Sequence, residues 1–183
     1  SKYEQDSELT DEELYVKDAA LYPEFNKIVC ASFGRMAYNG SMPTMIIKSF
    51  ASHDESEILE GIIKVFNKFS KLKFCGHNIK KFDVPVMCKR LLIKGFQLPQ
   101  YLKVHDMKPW EMPFIDTQEM WSFGAWGSSA SLDLLTASLG VDSPKDDIKG
   151  AQVNSVYWQE KDLNRIAVYC EKDVFSLAQA ILV

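Results

Sequence analysis

Two places in the 183-residue chain combine residue types and spacing that could do chemistry. The first is Asn78-Ile79-Lys80-Lys81-Phe82-Asp83, where a strand pattern ends and a helical one begins. Ligand sites in α/β sheets lie at the carboxyl ends of strands, and a carboxylate among lysines there can hold a hard cation against phosphate. The blander role for Asp83 is that of an acid at a helix start, favourable to the helix dipole by a few tenths to about 1 kcal/mol. The second place is Tyr169-Cys170-Glu171-Lys172-Asp173, in a C-terminal helical pattern. Residues four apart share a helix face, so the Tyr169 hydroxyl and the Asp173 carboxylate can enter one site. An inward carboxylate needs a metal or a lysine as partner, because an unpaired buried charge is very costly. Taken singly, each pattern is common.

Other candidates are weaker. A zinc site from Cys75, His77, Cys88 and His105 would need a C-x-H spacing that matches no structural zinc pattern. A Cys-His nucleophile is unsupported, since thiols in apolar runs are normally inert. All four cysteines, Cys30, Cys75, Cys88 and Cys170, sit in apolar contexts without a CxxC pair. They read as buried free thiols of a reducing compartment, and the expected setting is the cytosol.

The elements that must position these residues can be read from pattern. Hydrophobic residues make up 46% and charged ones 25%, a composition that excludes a disordered or fibrous chain. No apolar run approaches the roughly 18 residues of a membrane span. Residues 1 to 26 form an acidic polar leader with eight acids and two lysines, including a capping-box start at Thr10. It resembles neither a signal peptide nor a transit peptide. Residues 27 to 36 and 44 to 50 read as an antiparallel hairpin about Asn39-Gly40, with 72 to 78 a further strand of the same sheet. Asp54 opens a helix with apolar positions 58, 59, 62, 63, 66 and 69 at helical spacing. A second helix covers 82 to 95, with Pro85 in its first turn and Gly95 as its stop. Then come strand 114 to 117, a helix or broken turn through Trp126, and a helix capped by Ser131. A loop over 143 to 147 and a helix from about Lys161 complete the chain. This order predicts a layered α/β domain with a mixed sheet. Nine basic residues and a single acid, Asp83, lie between Lys64 and Lys94. That stretch would suit a phosphate-rich partner, or would simply be a solvated helix face.

In this order and some 90 residues apart, the two patterns gain meaning together. N-x-x-x-F-D after a short strand, then Y-x-x-x-D in the terminal helix, resembles motifs II and III of the DEDDy 3′–5′ exonucleases. Their fold is ribonuclease H-like, a three-layer α/β domain with a mixed central sheet. The likeness is to predicted 3′–5′ exonucleases related to the proofreading domain of B-family DNA polymerases. It extends through LYPEFNKIVCASFG, KFCGHNIKKFDVPVMCKRLL, KPWEMPFIDTQEMW and SLDLLTASLGVDSPKDDIKGAQVNSVYW, over roughly residues 12 to 183.

Carried over by residue, the resemblance makes Asp83 and Asp173 metal ligands and Tyr169 the group that orients the attacking water. Asn78 and Phe82 would flank the 3′ end of the substrate. Asp116 matches none of the four metal-binding acids and is expected to be structural or supporting. The implied chemistry is hydrolysis of terminal phosphodiesters, most simply of single-stranded DNA 3′ ends, with two Mg²⁺ or Mn²⁺ ions about 3.5–4 Å apart. Phe82, and among the tryptophans Trp110, Trp121 or Trp126, could stack on unpaired bases.

One departure stands beside the match. The family begins with a strand carrying D-x-E, and no such strand precedes residues 27 to 36. Asp6-Ser7-Glu8 has the letters but sits in a polar run. The sequence opens on Ser1 rather than Met, and the expectation is a domain over 27 to 183 whose first strand lies upstream, leaving the active site incomplete. A variant that has lost activity is the alternative account. A non-catalytic module of the same fold that binds single-stranded nucleic acid is the rival function.

Overall fold

A computed structural model describes residues 22–125, 127, 129–141 and 147–183. The leader through residue 21, with its Thr10 cap and Asp6-Ser7-Glu8, lies outside the described residues, as do Trp126 and most of the 143 to 147 loop.

The hairpin forms as the sequence directs. Strands β1 (Cys30–Asn39) and β2 (Met42–Ala51) pair antiparallel, from Cys30 opposite Ala51 to Asn39 opposite Met42. Only Gly40 and Ser41 remain for the turn, and Gly40 takes the positive φ of 62° that a two-residue hairpin needs. Asp54 then caps α1 (Glu55–Lys68) by accepting from the Ser56 amide at 2.9 Å. The apolar stripe of α1 is the centre of the core, with Ile58, Leu59, Ile62 and Phe66 fully buried.

Strand β3 (Phe74–Gly76) leads into α2 (Asp83–Ile93), which stops before Gly95 at φ 76°. A 3₁₀ turn at Gln100–Leu102 precedes β4 (Phe114–Asp116), which runs parallel to β3. Two short helices follow, α3 (Thr117–Ser122) and α4 (Leu132–Ser138), and Ser131 caps α4 through the Leu134 amide. Helical turns at Gly150–Gln152 and α5 (Val153–Ser155) pass into a π-helical segment, Val156–Glu160. The long α6 (Leu163–Leu182) ends the chain, capped by Asp162 on the Arg165 amide.

The expectation of one mixed sheet is corrected. Among the described residues β1 pairs with β2 and β3 pairs with β4, as two separate two-stranded sheets. Aromatic packing joins them through α1. The Phe66 ring lies 6.0 Å from Phe33 of β1 and 4.4 Å from Phe74 of β3. Helical spacing from Lys161 onward puts positions 163, 166, 167, 170, 174, 177 and 178 on one apolar stripe of α6, and that stripe is less buried than the spacing predicts. Ile166 and Ala178 are buried, whereas Leu163, Ala167, Cys170, Val174 and Leu177 are half-buried. The hairpin beneath it has no fully buried residue. Among the described residues, no helix is long and apolar enough to cross a membrane.

Candidate active site

Asp83 is the first residue of α2 and not its cap, which is Phe82. The turn before it is shaped by what precedes. A β-carbon on Gly76 would lie 2.6 Å from the Ile79 β-carbon, so only glycine lets Ile79 plug back against the end of β3. Asn78 holds φ 59°, a left-handed conformation that asparagine tolerates better than most residues. Its carbonyl accepts the amides of Lys81 and Phe82 at 3.2 and 3.0 Å, and the Ile79 carbonyl accepts Val84 at 2.9 Å. The chain thus winds directly into α2, leaving the Phe82 ring 48% exposed beside Asp83. His77 anchors the other side of this turn, with Nε2 donating to the Ala130 carbonyl at 2.8 Å and Nδ1 3.0 Å from the Thr117 hydroxyl.

Tyr169 and Asp173 come from α6, some 90 residues later, and reach the same place. Asp83 is close enough to Asp116 and Asp173 for both to act on its charge. Crowding by protein, followed by these two acids, pushes its carboxyl up to about 6, while its own amide hydrogen bond opposes the rise. Water still reaches Asp83. A charged group enclosed by protein and open to water lies in a cleft. The Tyr169 hydroxyl interacts with Asp173, and burial followed by that carboxylate holds it protonated well above the usual tyrosine range. The Gly150 turn passes beside it, since a β-carbon there would lie 3.7 Å from the hydroxyl.

Five of the nine basic residues between Lys64 and Lys94 are matched to carboxylates. Arg90 and Lys94 meet Glu55, Lys80 meets Glu119, Lys89 meets Glu24 and Lys64 meets Glu60. Four carboxylates thus answer five of the nine cations, and part of the positive charge is offset within the fold. The zinc alternative finds no support, because both ring nitrogens of His77 are engaged within the fold and the Cys88 thiol donates to the Leu102 carbonyl at 3.5 Å. The four cysteines are free and half-buried rather than fully buried, and burial lifts the thiols of Cys75 and Cys88 to about 11.

The family of predicted 3′–5′ exonucleases related to the exonuclease domain of PolB matches residues 21–177. The chain belongs to this family. The match spans both cleft segments, the 78–83 turn and the α6 face carrying Tyr169 and Asp173. No curated protein matches the chain closely enough to name a relative.

Exonucleases of this kind typically use divalent metals, so the fit of the cleft to such an ion matters. Among the described residues no group of three or more His, Cys, Asp or Glu side chains is gathered tightly enough to hold a metal ion. Asp83 and Asp173 are hard oxygen donors of the right type, and the raised Asp83 carboxyl is one that a nearby cation would return to its charged form. They fit part of an oxygen cage. Sequence reasoning missed Asp133 of α4, whose charge also acts on Tyr169, because its position in the first turn reads only as a helix-start acid.

Proposed function

We propose that this exonuclease-family protein is a metal-dependent 3′–5′ exonuclease of single-stranded DNA ends, built on a ribonuclease H-like domain over residues 27 to 183. In this reading Asp83 and Asp173 hold Mg²⁺ or Mn²⁺, which when bound supplies the charge that polarises a terminal phosphodiester. The observation that carries the reading is the meeting of Asp83, Tyr169 and Asp173, from α2 and α6, in one water-accessible cleft. Tyr169 stays a neutral hydroxyl at physiological pH, a donor that can orient water without adding charge beside phosphate. Phe82 offers an exposed ring at the cleft edge, and stacking on a terminal base is worth about 1–3 kcal/mol. Asn78, half-buried at the bend of the same turn, flanks the 3′ end.

The split sheet supports a further part of this reading, that two more acids arrive on a strand seated between β1 and β3. Among the described residues each of these strands is paired on one side only, and both rest on α1 through Phe66. A strand there would meet hydrogen-bonding edges on both sides and cover the half-buried hairpin. Free thiols suit a reducing compartment such as the cytosol.

The test is release of mononucleotides from single-stranded DNA by the full-length protein. The expected result is stepwise loss from the 3′ end with Mg²⁺ or Mn²⁺ and none after chelation. Asp83→Asn and Asp173→Asn should each lower turnover beyond the roughly 10–100-fold typical of losing an outer partner of a metal site. Tyr169→Phe should slow turnover while leaving metal binding intact. DNA binding of equal strength with and without metal, and no nucleotide released, would establish the binding-module function instead.

A further inference from the structure

We propose that Asp116 is a positioning residue of this exonuclease site: its carboxylate holds the 78–83 turn in the one conformation that presents Phe82 and Asp83 to the cleft. The role rests on the function proposed above. Asp116 ends β4 directly opposite Gly76, the last residue of β3, so its side chain stands where the neighbouring strand turns away. It is 3% exposed. A carboxylate so buried must be satisfied, and three backbone amides do this. Oδ1 accepts from Asn78 at 2.9 Å and from Gln118 at 3.0 Å, and Oδ2 accepts from Lys80 at 3.1 Å.

Only the Gln118 bond belongs to the ordinary work of a helix cap, since Asp116 is the cap of α3. The other two reach 36 and 38 residues back to a different loop. They gather the Asn78 and Lys80 amides about one anion, the concave arrangement that a left-handed residue creates and that binds negative charge. Asn78 sits in that left-handed conformation at φ 59°. From Lys80 only Lys81 intervenes before Phe82, and the amides of both Lys81 and Phe82 are already tied to the Asn78 carbonyl. Two contacts brace the turn on either side, the Ile79 side chain against Gly76 and the Lys80 ammonium on Glu119 of α3 at 2.7 Å. With the turn so fixed, the start of α2 and the direction of the Asp83 side chain follow.

The geometry provides a variant that separates capping from positioning. Asp116→Asn can keep its carbonyl oxygen at the Oδ1 position, retaining the Gln118 and Asn78 bonds, but then turns an amino group toward the Lys80 amide. Serine would reach too few partners to be informative. The full-length protein should be compared with Asp116→Asn and with Asp54→Ala, which removes the cap of α1 and leaves the turn untouched. Four quantities are read: thermal midpoint, amide exchange at Asn78 and Lys80, Mn²⁺ affinity by paramagnetic resonance, and kcat with KM on single-stranded DNA. Asp116→Asn should lower the thermal midpoint no further than Asp54→Ala does and exchange the Lys80 amide faster. It should bind Mn²⁺ about 10- to 100-fold more weakly, with kcat falling in parallel and KM little changed. Asp54→Ala should lower the thermal midpoint and leave Mn²⁺ affinity and kcat unchanged. A wild type that binds Mn²⁺ and cleaves, beside an Asp116→Asn protein matching it within twofold in both, overturns the positioning role alone. A wild type that binds no Mn²⁺ overturns the exonuclease reading and this role with it.

Discussion

At the scale of single residues, burial of Asp83, and then its closeness to Asp116 and Asp173, comes at a cost to the fold. Asp83 titrates at about 6 in the fold against an ordinary 3.8. An acid raised in this way favours folding in full below about pH 3.8, and that advantage is lost as pH rises through about 6. Near neutral pH without divalent ions, the charged Asp83 therefore works against the native state. Asp83→Asn is expected to raise the thermal midpoint of metal-free protein at pH 7.5, with the gain shrinking toward pH 4. Mn²⁺ should stabilise the wild type and not the variant. Thermal melts at the two pH values check this, and a gain independent of pH would remove the raised Asp83 carboxyl as its cause. Asp83, Tyr169 and Asp173 stood out in the sequence through the joint likeness of their two segments to motifs II and III, since each spacing alone is common. Asp116 was expected to be structural or supporting, but which turn it holds was not legible, since that depends on amides 36 and 38 residues away that no local pattern reveals.

At the scale of elements, the cleft depends on how α1, α2 and the chain entering β1 are held together. Glu55, in the first turn of α1, is 3% exposed and accepts from Arg90 Nε at 2.9 Å and Nη2 at 2.5 Å. The same carboxylate accepts the Ile28 amide at 2.7 Å, and Arg90 Nη1 donates to the Pro23 carbonyl at 3.1 Å. One ion pair thus joins both helices to residues 23 to 28. Removing Arg90 would strand a buried carboxylate, so Arg90→Ala should cost about 3–5 kcal/mol by urea denaturation. A loss below about 1 kcal/mol would mean that water or Lys94 takes over the pairing. The elements themselves were readable where local chemistry decides them. Gly40 marks the hairpin turn, Asp54 and Ser131 are helix caps, and Gly95 is a stop. The pairing of the basic run between Lys64 and Lys94 was not readable, because its partners Glu24, Glu55 and Glu119 come from other segments. The π-helical segment Val156–Glu160 was not foreseen, since five residues carry too little periodicity.

At the scale of the molecule, α1 joins the two small sheets and α6 packs on the hairpin, which brings Asp173 near Asp83. Layering was readable from the alternation of elements, whereas the division of the sheet was not, because pairing partners are set by tertiary packing and β3 has only three residues to carry a pattern. The central claim is that Asp83 and Asp173, from helices far apart in sequence, hold one divalent ion between them. Mn²⁺ affinity of the full-length wild type, Asp83→Asn, Asp173→Asn and the double variant tests it most directly. Either single substitution should remove most of the affinity, and the second should add little, as for two ligands of one ion. Additive, independent losses, or affinities unchanged by either substitution, would contradict it.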